Sequence, residues 1–523
     1  MLPDFKVREE KHTMGDRILH NGLKSKVMSA EAAAALIPNG SVVGMSGFTG
    51  AGYPKAVPIA LAKRAIDEKL KGKALKLDVL TGASTGPEQD SMMSFVESQR
   101  FRFPYQGDAV TREKINAGIM EYQDMHLSHA GSLVRYGYYG KGKNNIDFAV
   151  IEVTKINADG TLVPSSSCGA NNVYFEMADK IILEVNSWQD ERLEGMHDII
   201  SIPGEHGKRV PLPILKTDDR KGSKFWNIDI SKVVAVVEST FPDRNAAFKP
   251  PEDIHKRIAG HIIDFLSNEV KAGRLSKHLN PLQSGVGNIA NAVLVGLNEG
   301  PFENMTSYTE VIQDGMLDML DSGKLTVASA TAFSVSPEGQ IRFNKQIDDY
   351  RKKIILRPQE ISNHPEIIRR LGCIAMNGFV EADIYGHVNS THIAGKGIEN
   401  GIGGSGDFAR NSAYTIFMSP ATAKDGKISA IVPFASHIDH TEHEVNGIVT
   451  EFGFADLRGR SPKEKAKEVI EKCAAPEYRP ILWDYVKRSM KNPSAGLHSP
   501  HMFSEAFAFH TRYLQTGDMR PKK

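Results

Sequence analysis

Glu310 stands in Ser307-Tyr308-Thr309-Glu310-Val311-Ile312-Gln313-Asp314-Gly315-Met316, shortly after a glycine-containing stretch, Gln283-Ser284-Gly285-Val286-Gly287-Asn288-Ile289-Ala290. A carboxylate that follows Tyr-Thr and precedes an aliphatic pair and a Gln-Asp-Gly turn fits the end of a buried strand that presents one charge to a cleft. So placed, it can attack a thioester, release the thiolate and be recaptured by it, splitting one acyl exchange into easier steps. Gly285 and Gly287 permit backbone angles that aim peptide N–H groups at a developing oxyanion, while Ser284 and Asn288 add polar contacts. The same residues also fit a plainer arrangement, in which Glu310 caps a helix and the glycine loop is a tight turn.

Three further stretches carry residue types suited to chemistry. Gly401-Ile402-Gly403-Gly404-Ser405-Gly406 can bring backbone amides close to a ligand, or can be a glycine-rich surface loop. It satisfies G-x-G-x-x-G, yet it follows the polar residues 396–400. A nicotinamide oxidoreductase would need a strand there and an acidic ribose-binding residue further on, and neither is clear. Arg244, in Phe241-Pro242-Asp243-Arg244-Asn245-Ala246, could grip a carboxylate bidentately, or form a surface ion pair with Asp243 or Glu238. The histidines of His437-Ile438-Asp439-His440-Thr441-Glu442-His443-Glu444 match neither H-E-x-x-H nor a helical i, i+4 pair, so no metal site is expected. No Gly-Lys-Ser/Thr phosphate loop occurs, which leaves ATP-driven thioester synthesis without support.

Positioning such groups takes a scaffold of strands ending at loops. Residues 40–46, 75–81, 146–153 and 180–185 are apolar runs of strand length, and 58–69 read as a helix between the first two, so a parallel α/β sheet is expected. The polar residues 216–227 are the candidate connection between domains. Beyond them 232–237 read as a strand and 251–270 as a helix with Ile254, Ile258, Ile262, Phe265 and Leu266 near helical spacing. A faint repeat pairs Asn157-Ala158-Asp159-Gly160, followed by Ser165-Ser166-Ser167, with Glu381-Ala382-Asp383-Ile384, followed by Asn389-Ser390-Thr391. The loops at 46–52 and 284–288 form a second pair in the same order, suggesting duplicated α/β halves.

At 523 residues the chain exceeds what one core usually serves, and 24% charged with 41% hydrophobic residues is ordinary for a folded protein. Lys+Arg 64 against Asp+Glu 63 gives a net charge of +1, with no general pull toward nucleic acid or an anionic membrane. Cys168, Cys373 and Cys473 are sparse and odd in number, which fits reduced thiols in a cytoplasmic protein. Residues 1–20 lack the apolar core of a secretory signal, no apolar run reaches membrane-helix length, and residues 1–13 could be a flexible extension or an upstream start.

From about Arg17 to near the C-terminus the chain resembles the acetyl-CoA hydrolase/transferase family of class I coenzyme A transferases, most closely its succinyl-CoA:acetate CoA-transferases. The resemblance rests on Ser46-Gly47-Phe48-Thr49-Gly50-Ala51-Gly52-Tyr53-Pro54, Thr81-Gly82-Ala83-Ser84-Thr85-Gly86-Pro87, the stretches around Gly285 and Glu310, and Asn400-Gly401-Ile402-Gly403-Gly404-Ser405-Gly406-Asp407-Phe408-Ala409-Arg410, in that order. It implies two related open-sheet α/β domains of the NagB/RpiA/CoA transferase-like type, here 1–229 and 230–523, with the active site at their interface.

The resemblance further implies that Glu310 forms an acyl anhydride and then a CoA thioester, with the Val286 N–H beside Gly287 stabilising oxyanions. Gly285, Val286, Gly287, Asn288 and Ile289 would lie along the CoA ester, as would Gly404 and Lys424. Ser84 and Arg244 would hold the acid substrate, and Asn363 and Glu451 would stand beside the acyl and thioester groups. Asn363 could equally cap the helix that starts at Pro365, Glu451 could be a buried pairing partner, and Ser84 could belong to an ordinary turn-rich strand end. The implied enzyme is a homodimer acting on succinyl-CoA, acetyl-CoA, acetate and succinate, with CoA as substrate and covalent intermediate and no resident cofactor or metal. Acyl-CoA hydrolysis is the nearest rival, and a noncatalytic CoA-binding protein the rival of another class.

Overall fold

The protein is described by a computed structural model over residues 16–205, 207–245, 250–491 and 496–521. The extension or upstream start read at 1–13 lies outside the described residues. The chain forms two compact units: Met1–Ala247 with Ser307–Leu320 and Val327–Ile367, and Phe248–Thr306 with Asp321–Thr326 and Ile368–Lys523.

The first unit is built on eight strands: β1 (Val42–Met45), β2 (Leu77–Leu80), β3 (Gln99–Phe103), β4 (Glu121–Tyr122), β5 (Ile146–Ile156), β6 (Leu162–Pro164), β7 (Ala178–Asn186) and β8 (Val233–Ser239). Their order is β4-β3-β2-β1-β5-β7-β8, with β6 on β5. Every pair along that path is parallel, and only the β5–β6 hairpin is antiparallel. Parallel strands need covered faces, and this is why 146–153 and 180–185 read as nearly unbroken apolar runs. Glu184 breaks its run for a reason: its carboxylate accepts the N–H groups of Lys55, Ala56 and Val57 (2.9, 3.0 and 3.1 Å), the donors left open at the start of helix Ala56–Leu70.

Residues 216–227 lie within the first unit and do not link the two units. Trp226 and Leu162 exchange backbone hydrogen bonds at 3.0 Å each way, Ser223 and Ile199 do so at 2.9 and 2.7 Å, and the buried Asp198 accepts the Lys221 N–H at 2.8 Å. Arg357, fully buried against Asp198, also donates to the Thr217 and Asp219 carbonyls. The polarity of this stretch therefore reflects tethering by backbone and ion-pair contacts, which composition cannot distinguish from a solvated linker.

In the second unit, Leu282–Ser284, Ile374–Gly378, Tyr414–Met418 and Gly447–Thr450 lie side by side and parallel, and Gly453–Asp456 returns antiparallel to the last. The two copies of the sequence repeat make comparable turns. Asn157–Gly160 joins β5 to β6, and Asp383 begins the turn between the antiparallel strands Glu381–Asp383 and Val388–Asn389.

Helix Asp253–Lys271 is pinned by Glu269, whose carboxylate accepts Arg274 Nε and Nη2 (2.8 and 2.7 Å) and Arg458 Nη1 and Nη2 (2.9 and 3.0 Å). The Arg458 guanidinium also lies over Phe265, 4.8 Å from the ring centre. Hydrogen bonds from Arg274 and Arg458 hold the Glu269 pKa well below the usual glutamate range. With the folded pKa depressed, the contribution is complete above the unfolded value and disappears as pH falls toward the folded one. Glu269→Gln should cost about 2 kcal/mol at neutral pH and flatten the loss of stability below about pH 4.5, as read from urea midpoints across pH. Identical slopes in both proteins would show that Glu269 is not the group responsible.

Candidate active site

Glu310 sits where the chain passes from strand Met305–Tyr308 to strand Val311–Ile312. Its backbone is clamped on both sides. The Thr309 N–H donates to the Ser329 carbonyl at 2.9 Å, and the Glu310 carbonyl accepts the N–H groups of Thr331 (2.8 Å) and Ala332 (3.2 Å). Val311–Ile312 then pairs in parallel with Ala332–Phe333. Glu310 is half-buried.

Asn363, with no exposed surface, closes the short helix Gln359–Ser362 and donates its Nδ2 to Glu310 Oε1 at 2.9 Å. The Ser362 hydroxyl donates to Asn363 Oδ1 at 2.9 Å. That bond occupies the amide oxygen, so the amide nitrogen is the end presented to the carboxylate. Asn363 thus faces Glu310 and holds one of its carboxylate oxygens.

The stretch 283–289 runs from the end of strand Leu282–Ser284 through residues 285–287 into helix Asn288–Glu299. The Gly285 N–H ends the ladder by donating to the Met376 carbonyl at 2.9 Å, and the side-chain amides of Gln283 and Asn377 pair reciprocally at 2.9 and 3.0 Å. Gly285 is absent from the positive-φ positions, whereas Gly287 has φ 133° and ψ 177°, so the conformational demand falls on Gly287 alone. Val286 is exposed, and among the described residues nothing accepts its N–H. Asn288 and Ile289 open the helix, half-buried, at an end that favours anions.

Gly404 is buried and precedes helix Ser405–Asn411 with φ −92°, an angle open to any residue; Gly403, at φ 56°, is the one that needs to be glycine. The short strand Gly397–Ile398 before the loop pairs only with His392–Ile393 in a small antiparallel sheet, which is not the strand-loop-helix frame of a dinucleotide site. Lys424 is exposed and donates Nζ to the Tyr513 hydroxyl at 2.8 Å. Glu451 is buried and accepts the Ala421 N–H at 2.8 Å, the pairing role left open by its sequence. The Ser84 hydroxyl bonds Asp90 and accepts the Gly107 N–H, both at 3.1 Å.

Arg244 pairs with neither Asp243 nor Glu238; its Nε donates to Glu88 Oε1 at 3.0 Å. Arg244 and Asn245 line a cleft of about 640 Å³ together with Trp188, Ser336, Gln340 and Asn344, a wall that does not include Glu310 or Asn363. Next to Arg244 lies a charge cluster that motif reading missed. The Lys55 ammonium donates to Glu152 Oε2 (2.6 Å) and Asp243 Oδ1 (2.8 Å), with Lys55 and Glu152 fully buried. Burial opposes the ammonium, and the Asp243 and Glu152 charges overcome it, holding its pKa above the usual lysine range. Its signal in the sequence is Glu152 inside the apolar run 146–153.

Glu310 is thus a carboxylate at the end of a strand, with one oxygen held by the buried Asn363 amide. The chain belongs to the acetyl-CoA hydrolase/transferase family: its N-terminal domain matches residues 15–238 and its C-terminal domain residues 339–486. The chain is 45% identical over 506 residues to a succinyl-CoA:acetate CoA-transferase of Clostridium kluyveri, covering 96% of this chain and 92% of that one. It is 44% identical over 516 residues to an acetyl-CoA hydrolase of Schizosaccharomyces pombe, covering 95% and 98%. Among solved structures, RipA from Yersinia pestis shares the fold with a TM-score of 0.67 at 22% identity, over 89% of this chain and 98% of that one.

Asn363→Asp should lower kcat/KM for acyl exchange roughly 10–100-fold and move its acidic limb to higher pH, because a second carboxylate beside Glu310 raises the pH needed to ionise it. A pH–rate profile that keeps its acidic limb in place would dissociate Asn363 from the nucleophile.

Proposed function

We propose that the protein is a succinyl-CoA:acetate CoA-transferase working through covalent catalysis at Glu310. The hydrogen bond from Asn363 to Glu310 is the observation that carries this reading, since it fixes one carboxylate oxygen. The ionised carboxylate attacks the acyl carbon of succinyl-CoA, the C–S bond breaks, and CoA leaves as thiolate from a succinyl-glutamyl anhydride. The thiolate then attacks the Glu310 carbonyl, releasing succinate and leaving a glutamyl-CoA thioester. Acetate enters, and the same steps run in reverse to give acetyl-CoA and free Glu310. The balance is complete without water, metal or oxidant.

In this reading the Val286 N–H beside Gly287 receives the thioester oxyanion, with Gly285, Asn288 and Ile289 along the CoA ester. Gly404 and Lys424 flank the cofactor, Ser84 and Arg244 hold the acid, and Glu451 stands near the thioester. The proposal extends to a cytoplasmic homodimer, to 1–229 and 230–523 as its two CoA-transferase halves, and to a place in acetyl-CoA metabolism beside the tricarboxylic acid cycle. Hydrolysis is the second reading, favoured by the relative named acetyl-CoA hydrolase at 44% identity. Succinyl-CoA consumption that rises with acetate and is negligible without it would exclude hydrolysis as the main reaction.

Incubation with succinyl-CoA should add a CoA-sized mass to the peptide bearing Glu310, and Glu310→Ala should abolish both the adduct and exchange, a loss of roughly 10³-fold or more with folding intact. Exchange persisting in that variant would remove Glu310 from the reaction. Gly404→Val, at a backbone angle valine accepts, should fold normally and raise the KM for succinyl-CoA about tenfold. An unchanged KM would place the 401–406 loop away from the CoA ester.

A further inference from the structure

Residues 243–245 are fastened one after another to the loop 49–55. Asp243 Oδ1 accepts the Gly52 N–H at 3.1 Å and the Lys55 ammonium at 2.8 Å. The Arg244 N–H donates to the Gly50 carbonyl at 2.8 Å. Asn245 Oδ1 accepts the Gly50 N–H at 3.0 Å and the Thr49 hydroxyl at 3.2 Å. The approach is close enough that a Cβ on Gly50 would lie 2.5 Å from the Arg244 carbonyl. Only the side chain of Arg244 retains freedom, and Glu88 takes that up.

Glu88 is 3% exposed. Its Oε1 accepts Arg244 Nε at 3.0 Å, and its Oε2 accepts the hydroxyl of the fully buried Tyr53 at 2.5 Å. Carboxylate and guanidinium ordinarily favour a two-bond fork, with both oxygens engaged by adjacent nitrogens. Here the bond from the Tyr53 hydroxyl to Oε2 fixes the orientation of the carboxylate, and in that orientation Glu88 holds Arg244 through Nε alone. Among the described residues Glu88 is the only hydrogen-bond partner of the Arg244 side chain. The Arg244 side chain is 31% exposed and lines the cleft, and among the described residues nothing engages Nη1 or Nη2.

We propose that Tyr53 and Glu88 are positioning residues that prevent Arg244 from closing an internal fork and so keep its Nη1–Nη2 edge for bidentate capture of a small free carboxylate. The inference rests on the acid-binding role given to Arg244 above and adds the device that keeps that role available. Tyr53→Phe retains the ring that packs 4.4 Å from the Lys55 ammonium and removes only the hydroxyl. The Glu88 carboxylate then becomes free to turn and take an Nη group of Arg244, in competition with the substrate.

The test measures acetate and succinate binding directly, by calorimetry on the full-length protein, alongside KM for acetate and for succinyl-CoA in wild type, Tyr53→Phe and Glu88→Gln. Tyr53→Phe should weaken carboxylate binding and raise the acetate KM about tenfold, with the succinyl-CoA KM within about twofold and the melting temperature nearly unchanged. Glu88→Gln should weaken carboxylate binding by a similar factor, through loss of the charge that steadies Nε. Unchanged carboxylate affinity in a folded Tyr53→Phe, no carboxylate binding by the wild type, or an equal rise in both KM values with a lowered melting temperature would each overturn the proposal. Should Tyr53→Phe fail to fold, Glu88→Gln decides by the same criteria. Weakened carboxylate binding in the variants of a protein that transfers no CoA would support the positioning while sinking the transferase reading, so the two failures are distinguishable.

Discussion

The Lys55 ammonium, with no exposed surface, is the constraint around which the first unit is arranged. Removing a charge from water costs several kcal/mol even after relaxation, and that cost is tolerated only where the counter-charges are held in place and their remaining lone pairs are occupied. Both conditions are met here. Glu152 comes from β5 and also accepts from Ser165, Asn186 and Gln189, while Asp243 follows β8 and also accepts from Gly52, Ser166 and Gln189. The ammonium consequently ties the start of helix Ala56–Leu70, strand β5 and the segment carrying Arg244 into one polar cluster. Replacing Lys55 with an apolar residue would leave two buried carboxylates facing each other, a larger penalty than the loss of either contact alone.

Much of the scaffold was legible because its causes are local. Parallel strands covered on both faces produce apolar runs, and residues 146–153 and 180–185 announced β5 and β7, though β5 extends three residues further, to Ile156. The place of Glu310 at a strand end was legible from the Tyr-Thr before it and the aliphatic pair and turn after it. Its partner Asn363 was reached through motif resemblance, since nothing in Ser-Asn-His-Pro reveals a carboxylate 53 residues away. Tyr53, Lys55, Glu88 and Asp243 were not legible. The hydrogen bonds among them span 35 to 188 residues of chain, and a tyrosine or lysine looks the same in sequence whether it ends in solvent or against a buried carboxylate. The tethered stretch 216–227 failed for a related reason, because composition reports polarity and not which polar groups are satisfied.

The same constraint gives the glycines of residues 46–53 a different meaning from the one their density suggests. Glycine-rich loops invite a ligand-binding interpretation because amides can approach an anion closely. At Gly50 the close neighbour is the Arg244 backbone, and at Gly52 it is Ser167, whose Oγ would lie 2.3 Å from an added Cβ. The loop is thin because protein packs against it. Gly287 differs: its φ of 133° has no neighbour within 4 Å of a would-be Cβ, so the angle and not the space requires glycine there. Two loops of similar composition therefore serve different ends, one joining segments of the first unit and the other turning the chain into a helix.

Within the transferase reading, the chemical identity of the nucleophile follows from reversibility. A serine would trap the acyl group as an ester, lower in energy than the thioester, and CoA could not efficiently reclaim it. A carboxylate forms an anhydride at least as reactive as the thioester it came from, so the departing thiolate can return at either carbonyl and the acyl-transfer potential is conserved. That reactivity also makes every intermediate vulnerable to water. What separates transfer from hydrolysis is then the relative access of acetate and water to the glutamyl thioester, since Glu310 and Asn363 serve both reactions equally. On that reading, relatives carrying either name at 45% and 44% identity need not differ in the reacting group, since what separates the two outcomes is how well the acid is held while water is kept out.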